Sequence, residues 1–139
     1  MAEPSAFVLD TFAILAYLQG ESNGARVRQM LQSVQSGRQS VYMSLINVGE
    51  VLYITERKQG LQPAQDALAL LRQLPIDVLA ADEQAVFAAA HIKANYTVSY
   101  ADSFAIAAAE HVGGTVLTGD PEFSAVEDIV NIEWLQKRQ

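Results

Sequence analysis

The 139-residue chain contains no cysteine. Disulfides, thiol nucleophiles and thiolate zinc sites are thereby excluded together, and the composition suits a reducing compartment. Positive charge is also scarce. Nine Lys and Arg stand against sixteen Asp and Glu, and the formal net charge of −7 argues against nucleic-acid binding through a broad basic surface. No stretch reaches the roughly 18 uninterrupted apolar residues of a membrane span. The apolar segment from Ala6 to Leu18 is broken by Asp10 and led into by Glu3 rather than Lys or Arg, so it reads as a strand and a helix, not a secretory leader. Repeats, low-complexity tracts and linkers are absent as well. What is present is an ordinary globular composition, 50% hydrophobic and 18% charged. The expectation is one cytoplasmic domain over residues 1–139, burying roughly two thirds of the surface of its unfolded form.

Apolar periodicity switches repeatedly along the chain. Phe7 to Leu9 reads as a short buried strand, and Thr11 can cap a helix to about Leu18, before the turn at Gly20. A polar helix follows from about Asn23 to Val34. Val41 to Met43 is a brief strand, and Ser44 caps a long helix that ends near Gly60 with Arg57 and Lys58 in its last turn. Pro63 starts a helix striped by Ala64, Leu68, Leu71 and Leu74, which Pro75 ends. Ile76 to Leu79 is a strand, Asp82 opens a helix through Ala94, and Ser99 caps an alanine-rich helix from about Tyr100 to His111, stopped by Gly113 and Gly114. Thr115 to Leu117 and Ile129 to Ile132 complete the strands. Helices alternating with short aliphatic strands predict an α/β fold, a mainly parallel sheet covered on both faces in three layers.

Four acidic residues stand inside apolar stretches: Asp10 in FVLDTFAILAYL, Glu50 in SLINVGEVL, Asp102 in YADSFAIAAAE and Asp120 in TVLTGDPEF. A lone carboxylate there is costly to desolvate unless something neutralises it. Asp10 and Asp120 follow strands, and Asp102 and Glu50 lie in early turns of helices, so all four can converge at the carboxyl ends of the strands, where such sheets bind ligands. Asn47 shares a helix face with Glu50, and the alanines around Asp102 let its helix approach the sheet closely. Carboxylates without His or Cys make a hard-oxygen site suited to Mg²⁺ or Mn²⁺. Such ions serve phosphoryl chemistry, here hydrolysis of a phosphodiester. The four account for −4 of the −7 charge, leaving −3 for everything else. The cations at Arg26, Arg28, Arg38, Arg57, Lys58, Arg72, Lys93, Lys137 and Arg138 read as mostly solvated surface, with a few able to touch phosphates.

In their order, LDTFAILAYL, INVGEVLY, YADSFAIAAAE and VLTGDPEF resemble the PIN domain, and within it the VapC-like ribonuclease toxins of toxin–antitoxin pairs. The resemblance covers essentially the whole chain. It implies an acidic tetrad of Asp10, Glu50, Asp102 and Asp120, with Asp10 and Asp102 as the most direct metal ligands and Glu50 and Asp120 acting directly or through water. It also implies supporting roles for Asn47 and Thr118, selective cleavage of RNA with Mg²⁺ or Mn²⁺, a homodimer, and an antitoxin whose C-terminal segment occupies the site.

Each residue has a blander reading. Asp10 can cap the helix after the first strand, Asp102 can answer a helix dipole, Asp120 can be a turn aspartate, and Glu50 can be a solvated helix residue. Asn47 and Thr118 can be structural. His91 and His111 read as bystanders, the 64 to 74 stripe as core, and Arg57 and Lys58 as a solvated helix end with RNA contact as the alternative. Other functions compatible with the pattern are a nuclease for structured DNA or ribosomal RNA maturation, and a non-catalytic module whose acidic pocket takes a basic peptide. A phosphatase forming an aspartyl-phosphate at Asp10 is disfavoured, because Phe12 stands where that chemistry wants a second acid.

Overall fold

A computed structural model describes residues 5–135; Glu3, Lys137 and Arg138 lie outside them. Five strands form one sheet: β1 (Ala6–Leu9), β2 (Ser40–Ser44), β3 (Asp77–Leu79), β4 (Thr115–Thr118) and β5 (Asn131–Trp134), in the order β3-β2-β1-β4-β5. Every neighbouring pair is parallel. The helices are α1 (Thr11–Leu18), α2 (Ala25–Gln35), α3 (Leu45–Gln59), α4 (Leu61–Gln73), α5 (Glu83–Asn95) and α6 (Tyr100–Val112). The architecture is the expected α/β/α sandwich.

The central strands are apolar on both faces because both are covered. On β1, Phe7 and Leu9 enter one core with Ile14, Met30, Met43, Val51 and Leu117, while Val8 enters the other with Ile92, Phe104, Ile106, Val116 and Phe123. Leu68 and Leu74 pack against the first core, together with buried Ala64 and Leu71, so the α4 stripe faces inward as expected. Helix α6 is buried from Asp102 to Ala109. Alanine makes that burial feasible, since it occupies little volume and loses no side-chain entropy.

Several boundaries and caps follow from local chemistry. Ser44, Asp82 and Ser99 cap α3, α5 and α6 by accepting from Ile46, Ala85 and Asp102 N–H. Gly113 ends α6 in the left-handed region at φ 64°, which L residues avoid. Three expectations need correction. The cap of α1 is Asp10, not Thr11: Asp10 accepts from Ala13 N–H at 2.8 Å, and Thr11 is the first helical residue. The last strand begins at Asn131, not Ile129, because the N–H groups of Ile129 and Val130 both bond back to Val126 O and close a turn. Pro63 is the third residue of α4, which begins at Leu61; an N–H is dispensable there.

Gly24 sets how closely the segment before α2 approaches α1. A Cβ at this position would lie 2.5 Å from Ala16 O and 2.8 Å from the Tyr17 Cα, both backbone atoms. Gly24→Ala should therefore destabilise the fold by about 2–3 kcal/mol through overpacking, read as the urea midpoint; an unchanged midpoint would show that the two segments separate freely.

Candidate metal and catalytic centre

The strand order reverses direction at β1. The chain builds β1, β2 and β3 outward to one side and then returns to place β4 on the other. The crevice between β1 and β4 at their carboxyl ends is the topological switch point, where open parallel sheets bind ligands. Register places Leu9 opposite Leu117, so Asp10, the residue after β1, and Thr118, the last residue of β4, come side by side.

Asp10 and Thr118 are both fully buried, and the Thr118 hydroxyl donates to Asp10 Oδ2. That hydroxyl also accepts from Asp120 N–H at 3.0 Å, which fixes its orientation. With Asp10 Oδ1 accepting from Ala13 N–H, both oxygens of this carboxylate are held by the fold. Asp10 thus combines helix capping with a place in the pocket, two roles that the sequence presents as alternatives.

Glu50 is held from across the crevice, its Oε1 accepting from the Thr11 hydroxyl at 2.5 Å. Asn47, fully buried, donates through Nδ2 to Thr11 Oγ1 at 3.3 Å and to Ala101 O at 3.2 Å, joining α1, α3 and the first turn of α6. Asn47 Oδ1 is buried without a partner among the described residues. Asp102 is buried in that turn, and Asp120 caps the 3-10 turn Pro121–Val126 through Glu122 N–H at 3.0 Å.

One surface pocket is lined by Asp10, Glu50, Asp102 and Asp120, together with Thr11, Phe12, Leu15, Ile54, Ser99 and Glu122. The structure therefore brings the four singled-out carboxylates to one place. Thr118 lies behind Asp10, and Asn47 lies behind Thr11 and Ala101. His91 and His111 are outside this pocket.

Two residues escaped sequence reasoning. Thr11 orients Glu50 in addition to beginning α1. Glu122 places a carboxylate oxygen within 4.8 Å of oxygens from Asp102 and Asp120, and it accepts from Ser99 N–H at 3.3 Å. Its signal in the sequence was its spacing, two residues after Asp120 across Pro121.

Burial is the main force raising the Asp10 pKa from 3.8 to about 7; the charges of Asp120 and Glu50 add to it, while Thr118 and Ala13 hydrogen bonds oppose it. Asp102 is raised to about 7 as well, first by burial and then by Asp120, with smaller contributions from Asp10 and Glu122 and an opposing hydrogen bond with Ser99. Among the described residues, no Lys or Arg pairs with these carboxylates. An all-oxygen donor set containing two buried carboxyls that resist ionisation fits a hard divalent cation, which would offset both the burial and the mutual repulsion.

Parallel strands with carboxyl groups gathered at their switch point define an α/β domain with an acidic centre. The chain belongs to the PIN domain family, whose profile matches residues 7–129. Similar solved structures include DNA-bound VapBC from Salmonella typhimurium, at 22% identity and TM-score 0.72 over 95% of this chain and 99% of that one. VapBC2 from Rickettsia felis, bound to a DNA fragment from its promoter, shares 12% identity at TM-score 0.72 over 94% and 99%. Mycobacterium tuberculosis VapC20, a sarcin-ricin loop cleaving toxin, shares 19% identity at TM-score 0.65 over 88% and 95%. At these identities the likeness is one of fold. No curated protein sequence matches the chain significantly.

Proposed function

We propose that this protein is a VapC-like endoribonuclease toxin that hydrolyses RNA phosphodiester bonds with Mg²⁺ or Mn²⁺ and is restrained by a cognate antitoxin. The observation that carries this reading is the convergence of Asp10, Glu50, Asp102 and Asp120 on one pocket at the switch point of a PIN fold, with burial raising the pKa of Asp10 and Asp102. Asp10 and Asp102 are the first candidates to hold the ion; Glu50, Asp120 and Glu122 line the same pocket, and Asp120 and Glu122 offer oxygens within 4.8 Å of one from Asp102. Held by these carboxylates, a divalent ion would supply activation of water near neutral pH and stabilisation of charge on the departing oxygen.

The chain's own residues supply position. Thr118 and Ala13 hold Asp10, Thr11 holds Glu50, and Asn47 braces the two helices that carry Glu50 and Asp102. The carboxylates of Asp10 and Glu50 are thereby oriented before substrate arrives, so little reorganisation of them is left for the reaction itself. Leu15 and Ile54 add apolar surface to the pocket, which weakens screening there.

An antitoxin bearing Arg is chemically suited to the site, because a guanidinium relieves the same carboxylate repulsion as a metal ion. The fold shared with VapBC complexes supports that partner, and the reading includes a homodimer in the cytoplasm.

The test is incubation of a mixed transfer, ribosomal and messenger RNA pool with the purified protein in Mn²⁺ or Mg²⁺, beside Asp102→Asn and an EDTA control. Discrete fragments that disappear in both controls are expected. A folded, metal-binding wild type as inert as the variant would remove the enzymatic reading. In cells, expression without the partner should arrest growth, and toxicity surviving Asp102→Asn would contradict the mechanism. Glu122→Gln should weaken Mn²⁺ binding about 3- to 10-fold, less than a change at Asp10 or Asp102, because Glu122 is exposed and keeps its polar shape as Gln. Calorimetric titration with Mn²⁺ measures this, and unchanged affinity would place Glu122 outside the metal's surroundings.

A further inference from the structure

We propose that Tyr53 and Arg57 form a subsite for the nucleotide beside the cleaved phosphodiester, with the base stacked on Tyr53 and a phosphate held by Arg57. The inference rests on RNA being the substrate. Glu50, Tyr53 and Arg57 succeed one another at three and four residues along α3, so they share a helix face. Tyr53 is 49% exposed, and its hydroxyl lies 3.4 Å from Glu50 Oε2, the oxygen that Thr11 does not hold. The polar end of the ring thus meets the pocket edge. The Arg57 guanidinium carbon lies over one face of the ring, 5.2 Å from its centroid, which leaves the opposite face, or this one once Arg57 turns to a phosphate, for a base.

Two other exposed aromatics near the pocket, Phe12 and Tyr100, each lie against an apolar or backbone neighbour rather than a cation. Phe12 lies so close to Gly119 that a Cβ there would come within 2.3 Å of its ring. Tyr100, beside Asp102 in α6, is set edge-on against Phe104 with ring centroids 5.1 Å apart. The Tyr53 hydroxyl contact is long and its ring contact is an exposed cation, and solvent or a ligand can replace both.

Arg57 has no carboxylate partner among the described residues, in a chain of net charge −7. It lies seven residues beyond Glu50, about 10 Å along the helix axis. An acidic centre repels the phosphates on either side of the one it cleaves, so a substrate strand needs a cation just outside it. Arg57 is placed there by the same helix that supplies Glu50. Every base has a π face, so a Tyr platform flanked by Arg accepts any base while fixing the strand's path. A protein partner would use the same exposed ring through apolar contact, but charge complementarity to a phosphate favours RNA.

The experiment measures anisotropy of a fluorescein-labelled short oligoadenylate, and of the same strand with abasic riboses, in Ca²⁺ buffer across a salt series. Wild type is compared with Tyr53→Ala, Tyr53→Phe and Arg57→Gln, each checked for an unchanged melting temperature. Tyr53→Ala should weaken oligoadenylate binding about tenfold and leave the abasic strand unaffected, while Tyr53→Phe stays near wild type. Arg57→Gln should reduce the slope of log affinity against log salt by about 0.7. Equal affinities of wild type and Tyr53→Ala for oligoadenylate, or equal losses on both strands, would overturn the subsite. If wild type cleaves RNA while both positions are silent, only the subsite fails; if wild type binds neither strand, the RNA reading fails with it.

Discussion

Asp10→Asn should make the metal-free protein more stable while reducing metal-dependent RNA cleavage by at least about 100-fold. The two effects have one cause. Asp10 is buried beside other carboxylates and has its pKa raised from 3.8 to about 7, so ionising it in the fold is unfavourable. Asn removes that penalty and keeps the oxygen that accepts from Ala13 N–H, and with it the cap of α1, while its amide nitrogen takes from the Thr118 hydroxyl the acceptor that Oδ2 provides, which offsets about 1 kcal/mol of the gain. A displacement of this size corresponds to about 2–4 kcal/mol above neutral pH, or roughly 5–15 °C in Tm. Calorimetric melting of both proteins in EDTA at pH 8, beside cleavage assays in Mn²⁺, tests both halves. A variant that melts lower than wild type would show that the carboxylate stabilises the fold, and one that still cleaves would remove Asp10 from the catalytic set.

The second large effect is the pH dependence of metal stabilisation. Asp10 and Asp102 both have folded-state pKa values near 7, above their unfolded value of 3.8. Between about pH 4 and pH 7 the folded protein therefore holds more protons than the unfolded chain, and these two groups lower stability as pH rises through that window. Above about pH 7 their contribution is level. A divalent ion binds the ionised carboxylates, so the Tm increase produced by Mn²⁺ should be small at pH 5 and should grow through pH 7, reaching its maximum near pH 8. Thermal melts with and without Mn²⁺ across this range provide the measurement. An Mn²⁺ shift of constant size from pH 5 to pH 8 would mean that the ion binds elsewhere, and the shift should also collapse in Asp102→Asn.

Much of the architecture was legible from local pattern. Helix caps at Ser44, Asp82 and Ser99, the glycine stop at Gly113 and the short aliphatic strands act within a few residues, so adjacent sequence contains the cause of each. The last strand begins two residues later than its apolar pattern suggests, because Ile129 and Val130 are strand-forming types whose N–H groups are taken by Val126 O. Thr11 and Asp10 are both good caps by residue type, and only the bond from Ala13 N–H decides between them. The carboxylates stood out because acids within apolar stretches need a reason.

By itself, then, the sequence determined the alternation of strands and helices, the parallel class of the sheet and the acids obliged to find compensation, since these follow from periodicity, capping and desolvation. The tertiary structure alone decided which oxygen is held by which group. Thr118 reaches Asp10 across 108 residues and Thr11 reaches Glu50 across 39, through strand register and helix placement that no local window contains. The same long-range geometry brought Glu122 up to Asp102 and Asp120, and set Tyr53 at the edge of the pocket. Side-chain encounters of this kind depend on how whole elements pack, and packing is a property of the assembled layers.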